Sequence, residues 1–264
     1  PARLSIGMSA TRPETLPRGT RVGDCLIHRL AGRGSQAEVY LAWDSRQQCP
    51  VALKLFPTPA ATHQRGEVEP IETGLQTLSH PNIVAVHATG HHQRRAWVTM
   101  EWVPGFDLSH YLEPRWHLPA SWALATLEAL ALALAHAHRQ GVTHRDLKPA
   151  NVRVHLPTGL TKLTDFGIAA FHDNSQTATG VIKGTPAYMA PECLAGETCR
   201  VQGDLYALGV LGFELLTQRR PHQATFMGAL LHDIAQKDAP SLRTLRPELP
   251  QALDRIFASL LARK

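Results

Sequence analysis

The stretch THRDLKPANVRV, residues 143–154, is the most informative part of the sequence. It gathers three side chains of complementary chemistry within six positions. Asp146 supplies a carboxylate that can orient a hydroxyl, and Lys148 supplies a cation that can accompany a transferred charge. Asn151 adds an amide oxygen that can bind a metal. This combination predicts a catalytic loop.

A second stretch, KLTDFGIA at 162–169, adds another candidate metal ligand, the Asp165 carboxylate. Oxygen ligands of this kind suit Mg²⁺, which prefers one or two carboxylates together with substrate phosphates. About six fixed residue types at these spacings would arise by chance in roughly one chain of this size in 10⁵ to 10⁶. The two stretches together therefore indicate function.

A glycine pair lies further upstream, in AGRGSQAEVYLA at 31–42. The missing side chains of Gly32 and Gly34 would let backbone N–H groups approach phosphates. On its own, this segment is explained equally well by an ordinary β-hairpin turn. A Rossmann motif is excluded, because a predicted strand follows the glycines where that fold requires a helix.

Lys54 stands in the apolar run VALKLF at 51–56. Strand alternation places Ala52, Lys54 and Phe56 on one face and the remaining residues on the other. Burying a cation between apolar neighbours costs free energy unless an anion meets it, so a phosphate or carboxylate partner is expected. The alternative is that Lys54 extends from an exposed face into water.

The distribution of strand and helix signals predicts two parts of different character. Residues 1–18 are expected to form a poorly ordered leader, 19–103 a strand-rich lobe with one helix, and 104–264 a helical lobe. We expect a ligand cleft between the lobes. The predicted strands are 25–32, 37–44, 50–56, 83–90 and 94–102, and the predicted helices are 70–78, 121–139, 204–217, 225–236 and 250 to the end.

Composition narrows the class of protein. The 264 residues include 27 Lys plus Arg and 22 Asp plus Glu, a net charge of +5, and 44% are hydrophobic, so a folded globular chain is expected. The basic residues form no stripe, which argues against nucleic-acid binding. Four cysteines without a CxxC spacing favour a reduced, cytoplasmic setting. No targeting signal is visible, and 122–138 is interpreted as a buried core helix because Glu128 interrupts its apolar run.

These motifs together resemble a eukaryotic-type protein kinase domain, and most of all the Ser/Thr kinases of bacteria. The resemblance runs from about residue 24 to the end. It includes GTPAYMAPE at 184–192 and DLYALG at 204–209, and all motifs stand in the order of the family. It implies an α+β, bilobal fold with a small β-rich N-lobe and a larger helical C-lobe. GTPAYMAPE and Lys148 are similar to the Ser/Thr-specific pattern.

The resemblance also implies roles for individual residues. Asp146 would be the catalytic base and Lys148 would neutralise charge on the transferred phosphoryl group, while Asn151 and Asp165 would hold Mg²⁺, with Mn²⁺ as the alternative. Thr185 would shape the protein-substrate site. The residues implied to bind ATP are Ala31, Gly32, Gly34, Val39, Ala52, Lys54, Glu101, Val103 and Asp107, with Met100 as gatekeeper.

Arg145, which precedes the catalytic aspartate, commonly receives a phosphate in this family. Ser175, Thr177 and Thr179 are therefore candidate phosphosites, although each is also explained as an ordinary polar loop residue. Autophosphorylation between two copies would involve a homodimer. The expected partners are ATP and a protein with a Ser or Thr acceptor, and a membrane anchor elsewhere in the parent protein is left open.

Three positions depart from the family pattern. Ala37 replaces the third glycine of the Gly-rich loop, a small change. The helix glutamate expected to pair with Lys54 aligns with Ile71, with other glutamates nearby at positions 67, 69 and 72. Arg153 stands where the family places an apolar residue beneath adenine; it could stack on the base or point away.

The sequence therefore predicts a Ser/Thr protein kinase that transfers the γ-phosphoryl group of ATP. The departures at Ile71 and Arg153 leave a pseudokinase, acting as a nucleotide-binding or scaffolding module, as the main alternative. A small-molecule phosphotransferase of related fold is the third candidate, and GTPAYMAPE argues against it because that segment resembles the family's peptide-docking surface.

Overall fold

The chain divides into two units, described here separately. The N-terminal unit comprises Pro1–Gly66 and His87–Trp102, and the C-terminal unit comprises Glu67–Val86 and Val103–Lys264. The computed structural model describes residues 15–34, 37–57, 78–116, 118–166, 186–198 and 200–263. The predicted helix at 70–78 therefore falls almost wholly outside the described residues, as do residues 1–14 of the predicted leader.

A six-stranded sheet forms the core of the N-terminal unit. Its strands lie in the order β1-β2-β3-β4-β6-β5, and the pairs β1–β2, β2–β3, β3–β4 and β4–β6 are antiparallel. The strands are β1 Arg21–Val22, β2 Cys25–Arg33, β3 Glu38–Asp44, β4 Cys49–Leu55, β5 Val86–His92 and β6 Arg95–Glu101. Residues 15–18, which the sequence assigns to the leader, adjoin this sheet, since Leu16 packs against its core.

The alternation predicted for β4 is confirmed. Val51, Leu53 and Leu55 are fully buried in one apolar cluster, which also contains Tyr40 and Trp97. The other face of the strand carries Ala52 and Lys54, and both are buried as well. Both faces of β4 are therefore buried.

A second, three-stranded antiparallel sheet lies in the C-terminal unit. It consists of β7 Phe106–Asp107, β8 Val152–His155 and β9 Leu160–Leu163, in that order. The backbone N–H of Val84 donates to the Leu163 carbonyl at 2.9 Å, and Ile83 forms a bridge with the same residue. The strand predicted at 83–90 consequently begins only at Val86, because residues 83 and 84 bond to β9.

Among the described residues, the helices lie in the C-terminal unit, where four of the five predicted helices were expected. The four long ones match the predicted helices to within three residues at their starts. The helices are α1 Ala120–Arg139, α2 Pro191–Leu194, α3 Val201–Thr217, α4 Met227–Gln236, α5 Leu242–Leu245 and α6 Gln251–Leu260. Short 3₁₀ turns occur at Leu108–Leu112, Pro149–Asn151, Leu156–Thr158 and Pro186–Tyr188.

Helix α1 is buried on one face only, so its interpretation as a core helix needs correction. Residues such as Leu130 and Leu134 pack inward, and the helix contacts α3 and β9. The opposite face exposes Leu124 and Leu132. Among the described residues, α1 alone is long and apolar enough to pass a length-and-composition test for a membrane span.

The cysteines divide into two chemical states. Cys25 and Cys49 are free thiols. Burial raises the pKa of the Cys25 thiol to about 11, with smaller contributions from nearby Asp44 and Asp24. Cys193 is disulfide-bonded. The expectation of a fully reduced set of cysteines is therefore wrong at this position.

Candidate active site

The segment 144–151 forms a self-supporting loop around the carboxylate of Asp146. The Lys148 ammonium donates to Asp146 Oδ2 at 2.7 Å, and the Asn151 amide nitrogen donates to the same oxygen at 3.0 Å. The same amide nitrogen also donates to the Asp146 backbone carbonyl at 2.8 Å. These bonds fix the direction of the carboxylate. Of the three residues that the sequence groups as catalytic, Lys148 and Asn151 thus both contact Asp146.

His144 connects this loop to the segment that carries Asp165. Its Nδ1 accepts a hydrogen bond from the Asp146 backbone N–H at 3.2 Å, so Nε2 must carry the proton that it shares with the Thr164 carbonyl at 2.8 Å. The ring is completely buried and packs against Phe166, with centroids 4.7 Å apart. His144 therefore holds Thr164 beside the catalytic loop.

The buried carboxylate of Asp204, near the start of α3, holds the loop in place through hydrogen bonds. It accepts backbone N–H bonds from His144 and Arg145, each at 2.8 Å, and His138 Nε2 lies 2.8 Å from Oδ2. Burial would raise the pKa of the Asp204 carboxyl, but these partners hold it below its usual value. Asp204 belongs to the motif DLYALG, and its role in holding the catalytic loop was not predicted from the sequence. An acid inside an apolar helix was the available signal.

Two non-glycine residues of the site have a left-handed backbone. Arg145 has φ of +65° and Asp165 has φ of +66°. An arginine rarely adopts this conformation, which costs roughly 1–2 kcal/mol. At Arg145, this cost is offset by two hydrogen bonds, because the backbone N–H groups of Arg145 and of the preceding His144 both donate to Asp204. The two residues with this backbone strain, Arg145 and Asp165, are the first and the last of the proposed catalytic segment.

Asn151 and Asp165 fit a divalent cation by their chemistry. Both donations from Asn151 to Asp146 use Nδ2, so its Oδ1 is the atom that would contact a metal. The Thr164 N–H donates to the Asn151 carbonyl at 2.9 Å, which brings the segment of Asp165 next to Asn151. No group of three His, Cys, Asp or Glu side chains suited to a metal occurs among the described residues.

A pocket beside Asp146 is lined by the catalytic loop and by the AYMAPEC segment. Asp146 and Lys148 line one side, and Tyr188, Met189 and Cys193 line the other. The Tyr188 hydroxyl donates to the Glu214 carboxylate on α3, which ties this segment down. Thr185, the predicted substrate-site residue, lies outside the described residues.

The linker after Val103 is fastened to strand β8. Gly105 has φ of +89°, and a Cβ on it would lie 2.0 Å from the Val154 carbonyl oxygen. The Arg153 guanidinium donates to the Val103 carbonyl at 3.3 Å and also to the Gly105 carbonyl. The sequence left open whether Arg153 stacks on adenine or points away from it. In the structure, its guanidinium contacts the linker. Burial lowers the pKa of Arg153, while nearby Asp107 opposes this.

Asp107 caps the 3₁₀ turn that follows the linker. Its carboxylate oxygen accepts the Ser109 N–H at 3.0 Å, and the residue pairs with Arg153 across β7 and β8. This bond gives the aspartate a structural role that is independent of any ligand. Its predicted ribose contact stays a prediction.

In the N-terminal unit, Gly32 and Gly34 flank the tip of the β2–β3 hairpin. Both are exposed and neither needs a positive φ. Among the described residues, a Cβ on Gly32 would meet no atom within 4 Å, and one on Gly34 would meet the Ala37 carbonyl at 3.8 Å. The described part of the chain therefore leaves the backbone of both glycines open to approach.

Lys54 is 8% exposed on β4, so the predicted alternative of an exposed lysine is wrong. Its neighbours across the strands are Val39 on β3 and Val98 on β6, and its Nζ lies 5.6 Å from the centre of the Phe56 ring. Ala52 pairs with the predicted gatekeeper Met100 in the same sheet. The N-terminal unit thus presents a buried cation among the predicted adenine-side residues.

A family model described as protein kinase domain matches residues 26–261. The chain belongs to the protein kinase domain family. It is 35% identical over 243 residues to the probable serine/threonine-protein kinase PknB of Lactococcus lactis subsp. lactis, covering 90% of this chain and 38% of that protein. It is 33% identical over 254 residues to the serine/threonine-protein kinase PrkC of Bacillus subtilis, covering 93% and 38%.

A solved structure supports the fold of this kinase domain. The crystal structure of Rad53 1–466 in complex with AMP-PNP matches with a TM-score of 0.74 and 23% identity, over 91% of this chain and 61% of that one. At this identity the likeness shows the fold alone, and it confirms the predicted α+β kinase fold. The kinase domain spans well under half the length of the two bacterial relatives, so the rest of those proteins has no counterpart here.

Several predicted residues of the kinase domain lie outside the described residues. They are the candidate phosphosites Ser175, Thr177 and Thr179, the substrate-site residue Thr185, and Ile71 with its neighbouring glutamates. Ala37 is described and lies buried where the family's third glycine would be. Which glutamate pairs with Lys54 stays a prediction.

Proposed function

We propose that this kinase domain transfers the γ-phosphoryl group of ATP to Ser or Thr hydroxyls of proteins. One observation carries the proposal: the carboxylate of Asp146 is held in a fixed direction by Lys148 and Asn151. Both donors occupy Oδ2, so we assign Oδ1 as the atom that accepts the hydroxyl proton. The relatives named above are called serine/threonine kinases, and nothing among them favours the pseudokinase alternative.

In the proposed reaction, the acceptor hydroxyl lies beside Asp146 and attacks the γ-phosphorus in line with the leaving ADP oxygen. The O–H proton passes to Asp146 Oδ1, and the bond between the γ-phosphorus and the bridging oxygen breaks. Lys148, 2.7 Å from Asp146, is placed to neutralise charge on the phosphoryl group in transit. The protein contributes positioning and electrostatic stabilisation.

We propose that the nucleotide is bound by the residues that the family resemblance assigns. The backbone of Gly32 and Gly34 would cover the phosphates, with Ala31 beside them, and the buried Lys54 would bind the α- and β-phosphates. Val39, Ala52, Glu101, Val103 and Asp107 would contact adenine and ribose. The open space above both glycines and the burial of Lys54 support this assignment.

Mg²⁺ is the metal that we propose, because the candidate ligands are an amide oxygen and a carboxylate. When bound, the ion would neutralise negative charge on the β- and γ-phosphates. Asn151 and Asp165 would hold it, and the bond from Asn151 Nδ2 to Asp146 would orient the amide for that purpose. Mn²⁺ satisfies the same ligands.

A cytoplasmic location and self-phosphorylation in a transient homodimer complete the proposal. The free Cys25 and Cys49 fit a reducing compartment, whereas the disulfide at Cys193 does not.

Autophosphorylation is expected at Ser175, Thr177 or Thr179, where a phosphate could pair with Arg145. Phosphate found only elsewhere would contradict this part.

The test is the intact mass of the purified chain before and after incubation with ATP and Mg²⁺, in the presence of a generic acceptor protein. We expect mass gains of whole phosphates on serine or threonine, and none when the metal is chelated. Confirmed ATP binding without transfer to any protein would contradict the proposal and favour the pseudokinase. Transfer to sugars or antibiotics alone would favour a small-molecule phosphotransferase.

A further inference from the structure

A buried carboxylate outside the predicted site stands at the base of the Gly-rich loop. Glu38 is 5% exposed and forms the last cross-strand pair of the β2–β3 hairpin with Arg33, which lies between the two loop glycines. Arg33 donates to Glu38 Oε1 at 2.7 Å. Just beyond this pair, the Gly34 N–H donates to the Ala37 carbonyl at 2.9 Å. Glu38 therefore lies where the strands end and the loop tip begins.

The second carboxylate oxygen of Glu38 is held from the neighbouring strands. Arg95 on β6 donates to Oε2 at 2.8 Å, and the Tyr40 hydroxyl donates to the same atom at 3.0 Å. Burial would raise the pKa of Glu38, but the hydrogen bonds from Arg95, Tyr40 and Arg33 hold it below its usual value, so the group is ionised at neutral pH. The carboxylate thus has donors on both oxygens.

Arg95 carries the connection on to the strand of Lys54. Its Nε donates to the Phe56 carbonyl at 2.9 Å, two residues beyond Lys54. The Phe56 N–H in turn donates to the Ala96 carbonyl at 2.9 Å, so both backbone polar groups of Phe56 are bonded to β6. A continuous chain of hydrogen bonds runs from the loop base to the end of the strand that carries the proposed phosphate-binding lysine.

We propose that Glu38 is a positioning residue for phosphate binding. Through Arg33 it holds the base of the Gly-rich loop, and through Arg95 it sets that base relative to the strand of Lys54. Neither contact places Glu38 on the nucleotide itself. This inference rests on the proposed function, since it assigns Glu38 to the same ATP site.

The test compares the affinity for Mg²⁺-ATP with the affinity for adenosine, measured by calorimetry on the same protein. Adenosine lacks the phosphates that the loop would cover, so a positioning role affects ATP alone. We expect Glu38→Gln to weaken ATP binding about fivefold, the size of one partly exposed ion pair, and to leave adenosine binding unchanged. Equal weakening of both ligands would show a merely structural role and overturn the inference.

The direction in which Glu38→Gln changes the affinity for ATP distinguishes a positioning role of Glu38 from direct attraction of phosphate by Arg33. If the guanidinium of Arg33 simply attracted phosphate, Glu38→Gln would free it and ATP would bind as well or more tightly. A positioning role predicts weaker binding. It also predicts that Arg33→Gln combined with Glu38→Gln weakens ATP binding no further than Glu38→Gln alone, because Glu38→Gln already breaks the contact with Arg33.

A second variant keeps the test decisive if Glu38→Gln does not fold. Tyr40→Phe removes one donor to Glu38 and leaves every charge in place, so we expect ATP binding to weaken about twofold with adenosine unchanged. Unchanged ATP binding would overturn the inference. Arg46→Gln is the matched control, because Arg46 belongs to an exposed pair with Asp24 in the turns at the opposite end of β2 and β3. A wild-type chain that binds no ATP would instead overturn the proposed function.

Discussion

Asp204 shows how one residue organises the catalytic loop without contacting a substrate. Its carboxylate accepts two backbone N–H bonds and lies within hydrogen-bond distance of His138, in a nearly water-free position. Those bonds compensate for burying the charge. They also stabilise the left-handed backbone at Arg145, and Arg145 directly precedes Asp146.

We expect Asp204→Asn to lower the free energy of unfolding by about 2–4 kcal/mol, because the amide turns a donor towards N–H groups that need an acceptor. The pKa of Asp204 is lowered in the folded chain, so its stabilisation is present above the ordinary carboxyl pKa and is lost as the pH falls through the folded pKa. Urea unfolding at several pH values measures this.

The difference between wild type and Asp204→Asn should therefore shrink below about pH 4. A difference that is the same at every pH would contradict the role of the charge. Asp238→Asn is the control, because that carboxylate is 85% exposed in its pair with Arg263 and its loss should cost little.

Arg153 is the residue whose family counterpart is apolar, and its bonds to the linker carbonyls give it a specific consequence. We expect Arg153→Met to keep the aliphatic stem but release the carbonyls of Val103 and Gly105, weakening adenosine binding about threefold. Arg153→Lys should restore part of the loss. Calorimetric titration with adenosine tests this, with the exposed Arg115→Met as control.

Unchanged adenosine affinity in Arg153→Met would show that the linker keeps its shape without the guanidinium. Tighter binding would show that an apolar residue suits the base better, as the family pattern suggests. Either result would contradict the positioning of the linker by Arg153.

At the scale of elements, the junction between the linker and β8 depends on close approach of two backbones. Gly105→Ala should destabilise the fold by about 3 kcal/mol or more, because its Cβ would overlap the Val154 carbonyl oxygen and its φ is positive. Gly159→Ala provides a matched comparison. It has φ of +69° but nothing within 4 Å of the added Cβ.

We expect Gly159→Ala to cost only about 1 kcal/mol, the strain of the left-handed backbone alone. Chemical denaturation of both variants gives the comparison. Equal losses would show that backbone strain, and not the approach of β8, explains the glycine in the linker.

The elements that were predictable from sequence are those with long periodic patterns. The strand VALKLF alternates over six positions, and α1 and α3 extend over four or more turns. Strands β8 and β9 have only four residues each, too few for alternation to stand out, although Val152 and Val154 do point inward. The exposed face of α1 escaped prediction because leucine and alanine appear there as they do in the core.

Over the whole molecule, the catalytic residues were more predictable from the sequence than the contacts between distant segments. Asp146, Lys148 and Asn151 were identified from their types and spacing, and the structure brings them into contact. The anchoring of residues 83 and 84 to Leu163 was not predictable, because it joins segments about eighty positions apart through backbone atoms. The network around Glu38 was missed for the same reason, since Arg95 lies 57 positions away.

The central claim is that Asp146 accepts the proton of a protein hydroxyl while Lys148 and Asn151 hold it in place. The most direct measurement is phosphate transfer from γ-labelled ATP to an acceptor protein, for the wild type and for Asp146→Asn, at ATP concentrations that saturate each. We predict a loss of roughly 10²–10⁴-fold in transfer for the variant, with ATP affinity retained. Transfer by Asp146→Asn at the wild-type rate would contradict the account.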